Sequence, residues 1–208
     1  MPADWLRRLG TPPWFYLAVL ALALVIQLFP AWRGALIYER DALAAGELWR
    51  AWTGHLVHFG WPHFGADTAL LLIIGWTIGR EFPRASWLGL LLLPPFISAA
   101  VYWTDPAMQR YAGLSAVNLG LLLLLAARGW KGDRRDWFWP AIVVIYVAEL
   151  AYEIHRGGRG GGFIAFDDPD VKVATSAHLA AAAYALVAWF VARFADRRTR
   201  PADETFSK

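Results

Sequence analysis

The chain has 208 residues, 58% of them hydrophobic and 15% aromatic, with 13 Trp and no Cys. Its positive mean hydropathy is not that of an ordinary soluble domain, and the lack of Cys excludes a disulfide framework, a thiolate metal site and a cysteine nucleophile. The net charge of +3 comes from basic residues spread among the loops, so no nucleic-acid partner is expected.

This composition predicts an all-α polytopic membrane protein with six spans, at about 13–29, 63–79, 86–103, 113–127, 137–154 and 174–192. The membrane domain is expected over 13–195, between a cytoplasmic N-terminus at 1–12 and a polar cytoplasmic tail at 196–208. The first apolar run follows Arg7-Arg8 with no small-residue cleavage site, so it reads as a span and not as a signal peptide. A long outer loop around 30–62 leads to the second span, where Pro62 suits the first helical position and puts His63 and Asp67 on one face. Pro94-Pro95 should kink the third span. The fourth, from Gly113 to Ala127, reaches only about 22 Å, so the loop before it must dip into the protein to meet it. The fifth carries two acids, Glu149 and Glu153, and is followed by the Gly-rich stretch Arg156–Gly162. Asp167-Asp168-Pro169-Asp170, further along the same loop, lacks the spacing of a calcium loop. Trp61, Trp103, Tyr111, Trp137 and Trp139 sit near span ends and suit an interfacial belt.

With both termini in the cytoplasm, the inner segments hold 13 of the 20 Lys and Arg residues, as the positive-inside rule requires. The second, fourth and sixth spans then run inward, and counting back from the first inner charge sets depth. Ser115 precedes Arg128 by 13 residues, Asp67 precedes Arg80 by 13, and His178 precedes Arg193 by 15. At 1.5 Å per residue all three stand about 20–22 Å above the inner boundary, below the outer surface of a core about 30 Å thick. Irregular backbone at that depth is tolerated where it lines a wet cavity, and hydrolysis needs water.

Serine is a weak nucleophile that needs a base within hydrogen-bond reach, and neutral imidazole is such a base near pH 7. Ser115 and His178 are therefore the candidate catalytic pair. Gly113, Ala116 and Gly120 on one side, with Ala177, Ala181 and Ala185 on the other, would let the two helices approach closely. His55, His58, His63 and Asp67 form a second cluster, able to present donors to an oxyanion beside Ser115 together with the Ser115 N–H. His58, His63 and Asp67 are also zinc-ligand types, but no H-E-x-x-H pair accompanies them and zinc would leave Ser115 unexplained. Neither a metal nor another cofactor is expected. Glu149 reaches the same layer and Glu153 lies one turn further out; both are candidate substrate contacts, with snorkelling to the interface the competing role for Glu153.

Taken together, Trp49-Arg50, His58-x4-His63-x3-Asp67, Gly113-x-Ser115-Ala116 and Ala177-His178-x2-Ala181-x3-Ala185 resemble the motifs of the rhomboid family of intramembrane serine proteases. The resemblance implies a six-helix rhomboid fold and a Ser115–His178 dyad without a third acid, with His63 and residue 67 helping the oxyanion hole. Three positions depart from the family pattern. Asp67 stands for the usual Asn and if ionised would repel an oxyanion; if protonated it could donate, or it could orient a neighbouring His. Leu119 stands where many rhomboids have a Tyr against the catalytic His, and Ala181 and Ala185 stand for Gly. The run Thr53–His58, Trp61-Pro62-His63 and the Glu153 region further resemble the rhombosortase subgroup. That likeness implies membrane-anchored exported substrates with a C-terminal transmembrane segment and a GlyGly-CTERM tail. It also implies a bacterial-type inner membrane, with the active site open to the periplasmic side. The alternatives are a general rhomboid protease of single-span substrates and an inactive rhomboid-like protein that binds membrane helices.

Overall fold

A computed structural model describes residues 13–80, 82–132, 135–155 and 174–198. Six long helices carry it: α1 (Trp14–Leu28), α2 (Trp61–Ile74), α3 (Pro83–Thr104), α4 (Ser115–Gly132), α5 (Phe138–His155) and α6 (Thr175–Arg198). Short helical turns fill the loop between α1 and α2. The described residues are mostly helical, as an all-α fold requires, with one two-residue strand pair: Tyr38–Glu39 (β1) pairs antiparallel with Arg110–Tyr111 (β2), tying the loop between α1 and α2 to the turn that precedes α4.

The helix ends follow from local chemistry. Pro30 disfavours helical backbone at Phe29, so α1 stops there and the chain bends by 98° into the Pro30–Leu36 turns. Gly60 adopts φ +116° ahead of α2, which begins at Trp61, so Pro62 is its second residue and not its first. A π-helical turn, Gly75–Gly79, continues α2. Its two glycines are required because the Tyr16 ring of α1 lies where their Cβ atoms would be. Asp136 caps α5 by accepting the Phe138 N–H at 2.9 Å. α4 and α6 both run past the apolar stretches that announced them, to Gly132 and to Arg198, so α6 enters the segment expected as a polar tail.

α4 lies at the centre, packed against α2, α3, α5 and α6, while α1 packs on α2. The core is built from Leu71 and Ile74 of α2, Leu93, Ile97 and Val101 of α3, Ala116, Val117, Leu121 and Leu125 of α4, and Ala177 and Ala181 of α6. The outward faces expose Leu22, Ile73, Leu88, Val144, Leu186 and Val191, which is the inverse of a surface built for water. By length and composition α3 can cross a membrane; Ser115–Trp130, Phe138–Tyr152 and Thr175–Val191 are apolar but shorter.

α3 runs unbroken through Pro94 and Pro95. A proline at 95 has no N–H for the carbonyl of Leu91, and the Trp52 indole N–H of the loop between α1 and α2 donates to that carbonyl instead, at 2.8 Å. The proline pair thus makes a docking point for the loop. Trp61, Trp103 and Trp137 are exposed as an interfacial belt requires, but Tyr111 and Trp139 are buried. Tyr111 meets the rings of Tyr38 and His55 edge-on, and Trp139 fills the space over Gly129.

Candidate active site

The turn entering α4 is sunk in the protein, with Tyr111, Ala112 and Leu114 all buried, as the short fourth apolar stretch demanded. Gly113 has φ +109°, a conformation that L side chains rarely adopt. A Cβ there would lie 2.6 Å from His63 Nε2 and 3.1 Å from Asp67 Oδ2, so only glycine lets the turn close over α2. Two reciprocal bonds then clip α2 to α4. The Leu114 N–H donates to Asp67 Oδ2 at 2.7 Å, and the Asn118 side-chain amide donates to the Asp67 backbone carbonyl at 2.8 Å. Ser115 follows as the first residue of α4. The first-turn N–H groups around it have no partner within the helix, so the backbone presents donors beside the Ser115 hydroxyl.

His178 sits in the first turn of α6, where its N–H donates to Ala174 O at 3.2 Å. The small residues bring α6 onto α4: Ala116, Ala177 and Ala181 are fully buried, and a Cβ at Gly120 would lie 3.2 Å from that of Ala181. At this separation His178 Nε2 comes within 3.1 Å of Ser115 Oγ. Tyr146 of α5 donates its hydroxyl to the His178 carbonyl at 2.5 Å. This buried tie holds the first turn of α6 from α5, which packs on α4 as well.

His58, His63 and Asp67 are buried together, with the two imidazole rings edge to face at 5.1 Å. His58 Nε2 and His63 Nε2 stand 3.3 and 3.2 Å from the same carboxylate oxygen, Asp67 Oδ2. Of the three roles open to Asp67, the geometry answers to the orienting one. Its Oδ2 accepts the Leu114 N–H and faces two imidazoles, which is the contact set an orienting role requires. His55 does not join the group. One turn of 3-10 helix points it to α3, where its Nε2 contacts Pro94 O at 3.0 Å and Ser98 Oγ at 3.1 Å. Burial lowers its pKa to about 4.

Trp49 and Arg50 spend their side-chain donors on the loop between α1 and α2. The Trp49 indole donates to Ala35 O at 3.1 Å, and the buried Arg50 guanidinium donates to the carbonyls of Gly34 and Ile37, both at 2.8 Å, which braces that loop. Glu149 is half-buried on α5, one turn beyond Tyr146. The Glu153 side chain, Arg156–Gly162 and Asp167–Asp170 lie outside the described residues. Among the described residues no group of three or more His, Cys, Asp or Glu is arranged to hold a metal ion. Leu119 is only partly buried; the tyrosine that serves His178 comes from α5 and bonds its backbone. Neither Tyr146 nor Asn118 was singled out by motif, although Asn118, one turn after Ser115 in an apolar helix, is the kind of buried amide that marks a functional layer.

A partly buried serine and a buried histidine meet in the first turns of two packed helices, beside a braced imidazole pair, in a helical protein whose outward faces are apolar. The Rhomboid domain model matches residues 45–194, and the chain belongs to the rhomboid family. It is therefore an integral membrane protein, of a family whose members are in general intramembrane serine proteases. No curated protein matched the chain.

Proposed function

We propose that this chain is an active serine endopeptidase that cuts within the membrane, with Ser115 as nucleophile and His178 as base. The observation that carries the reading is the 3.1 Å contact between Ser115 Oγ and His178 Nε2, made across two closely packed helices in a protein without a cysteine nucleophile. In the first step Ser115 Oγ bonds to the substrate carbonyl carbon as its proton passes to His178 Nε2. The oxyanion is held by the Ser115 N–H and by the single Nε2–H of His63, which lies against the Gly113 turn and is shared between Asp67 and the oxyanion. The C–N bond then breaks, His178 protonates the departing amine, and water repeats the sequence to release the acyl group and restore Ser115. His58 and Asp67 act on His63 and on the turn, not on the substrate.

All six long helices cross the bilayer in this reading, both termini are cytoplasmic, and the dyad opens to the outer side of a bacterial-type inner membrane. Charge distribution among the loops and the common depth of Asp67, Ser115 and His178 support it. The substrates are membrane-anchored exported proteins processed near a C-terminal transmembrane segment, of the GlyGly-CTERM kind. The Thr53–His58 run and Trp61-Pro62-His63 support that choice over a general rhomboid protease. Glu149 and Glu153 are proposed substrate contacts at the outer end of α5.

Purified protein in bilayers is incubated with such a tail, and the product mass is read. Ser115→Ala and His178→Ala should each remove most turnover, and the double variant should lose little more. A fluorophosphonate probe should label Ser115 and no other serine, whereas a helix-binding protein without activity would stay unlabelled. Normal processing by Ser115→Ala would end the proposal.

A further inference from the structure

We propose that Asp67 and His58 form a buried ion pair, and that Asp67 is thereby a positioning residue that anchors the turn carrying Ser115. The pair itself does not depend on proteolysis; only its use in catalysis rests on the function proposed above. Three segments converge on Asp67 Oδ2. They are the turn before α4, through the Leu114 N–H at 2.7 Å, the first turn of α2, through His63 Nε2 at 3.2 Å, and the outer loop, through His58 Nε2 at 3.3 Å.

The far nitrogen of each ring fixes where its protons are. Phe59 N–H donates to His63 Nδ1 at 3.4 Å, so that nitrogen is an acceptor and the His63 proton is on Nε2, facing the carboxylate. His63 is neutral. His58 Nδ1 stands 3.1 Å from the carbonyl of Leu56, which can only accept, so this nitrogen carries a proton. His58 Nε2 is fully buried and finds no aligned hydrogen-bond acceptor, only the Asp67 carboxylate beside it. A bare Nε2 there would set its lone pair against an anion; a proton turns the contact into attraction. That proton could in principle sit on the carboxyl group. Yet two N–H donors on one oxygen favour the charged carboxylate over the acid, and imidazole in water binds a proton roughly 400-fold more tightly than a carboxylate does. His58 therefore carries both ring protons, and its charge balances that of Asp67.

This arrangement gives the aspartate at 67 a purpose that an asparagine cannot serve. An asparagine oxygen would still accept the Leu114 N–H, but it carries no charge to hold a cationic His58. Breaking a buried pair by removing one partner leaves the other charge uncompensated, so the imidazolium must lose its proton.

The test is side-chain ¹⁵N–¹H correlation of His-labelled protein at pH 7.5, in the full chain with Ser115 intact, with signals assigned by His58→Gln and His63→Gln. Wild-type His58 should show two protonated ring nitrogens and His63 a single neutral Nε2–H. Asp67→Asn should return His58 to one proton, on Nδ1. A wild-type His58 with one proton overturns the proposal, and so does an Asp67→Asn protein that keeps two. Should that variant not fold, the ¹³C carboxyl signal of Asp67 in the wild type decides. A carboxylate supports the pair and a protonated acid overturns it. Fluorophosphonate labelling of the same sample separates the two claims, since an unlabelled Ser115 beside a doubly protonated His58 sinks the protease and leaves the pair standing.

Discussion

Replacing Gly113 with alanine tests how the site is held. At φ +109° a Cβ is strained in any surroundings, at a cost of about 1–2 kcal/mol. Here that Cβ would also lie 2.6 Å from His63 Nε2, 2.7 Å from His63 Cε1 and 3.1 Å from Asp67 Oδ2, all on a side-chain cluster buried on every side. Overpacking of such a cluster costs about 1–3 kcal/mol more. The sum, about 2–5 kcal/mol, should lower the thermal midpoint in detergent by on the order of 10 °C. Relief can come only by lifting the turn or by pushing His63 off Asp67, and either displaces Ser115 from His178. A shift of 1 Å at a reacting group costs about 100-fold in rate, so turnover should fall by that factor even at a temperature where the variant stays folded. Gly89→Ala in α3 is the control. Its Cβ would meet the ends of flexible leucine side chains, Leu121 at 2.6 Å and Leu124 at 3.5 Å, further along α4 and away from the hydroxyl. That protein should lose stability but keep most of its turnover. A Gly113→Ala protein with the wild-type melting point and rate would refute the reasoning.

Tyr146→Phe removes the hydroxyl bound to the His178 carbonyl and should cost about 1–3 kcal/mol, with turnover down by roughly tenfold; a kinetic assay on a variant with unchanged activity would show that the tie does not position His178. Trp52→Phe strips the Leu91 carbonyl of the donor that replaces the one missing at Pro95, for about 1 kcal/mol in thermal unfolding. Adding Pro95→Ala restores a backbone N–H to that carbonyl, so the double variant should recover part of the loss, and one no more stable than Trp52→Phe alone would contradict the docking role. Protonation of His55 should destabilise the fold in acid. Its pKa falls to about 4 on burial against about 6.5 in the unfolded chain. Between these values the unfolded state binds more protons, so stability is full above about pH 6.5 and is lost by up to about 3 kcal/mol as pH falls to 4. His55→Gln should flatten the unfolding profile over that window, and an equally steep profile would disprove the assignment.

The grouping of Asp67, Ser115 and His178 was readable from sequence because a helix rises by a constant amount per residue, so counting back from a basic residue on each helix puts the three on one level. Direction was not. His55 and His58 are three residues apart in one loop, and the 3-10 turn between them sends one ring to α3 and the other to Asp67. Asp67 could be seen as a departure from a motif, but its role depends on the Leu114 N–H, which reaches it only because Gly113 turns the chain left-handed. Tyr146 was hidden for a different reason. α5 is apolar on nearly every face, so periodicity cannot tell its inward side from its lipid side, and a buried tyrosine looks like an interfacial one.

The location of the site follows from topology more than from any single residue. The proposed six-span topology sends the second, fourth and sixth long helices in one direction, which gathers the N-terminal ends of α2, α4 and α6 on one side. Each contributes its polar residues from the first two turns: His63 and Asp67, then Ser115 and Asn118, then His178. Their contacts, from Asn118 to the Asp67 carbonyl and from His178 to Ser115, hold those three ends together. The positive ends of three helix dipoles then surround the point where negative charge would develop on a carbonyl oxygen. An aspartate placed there would oppose that field if it stood alone. Pairing it with a cationic His58 removes the opposition, and this is why the chain can carry Asp67 inside the same layer as its nucleophile.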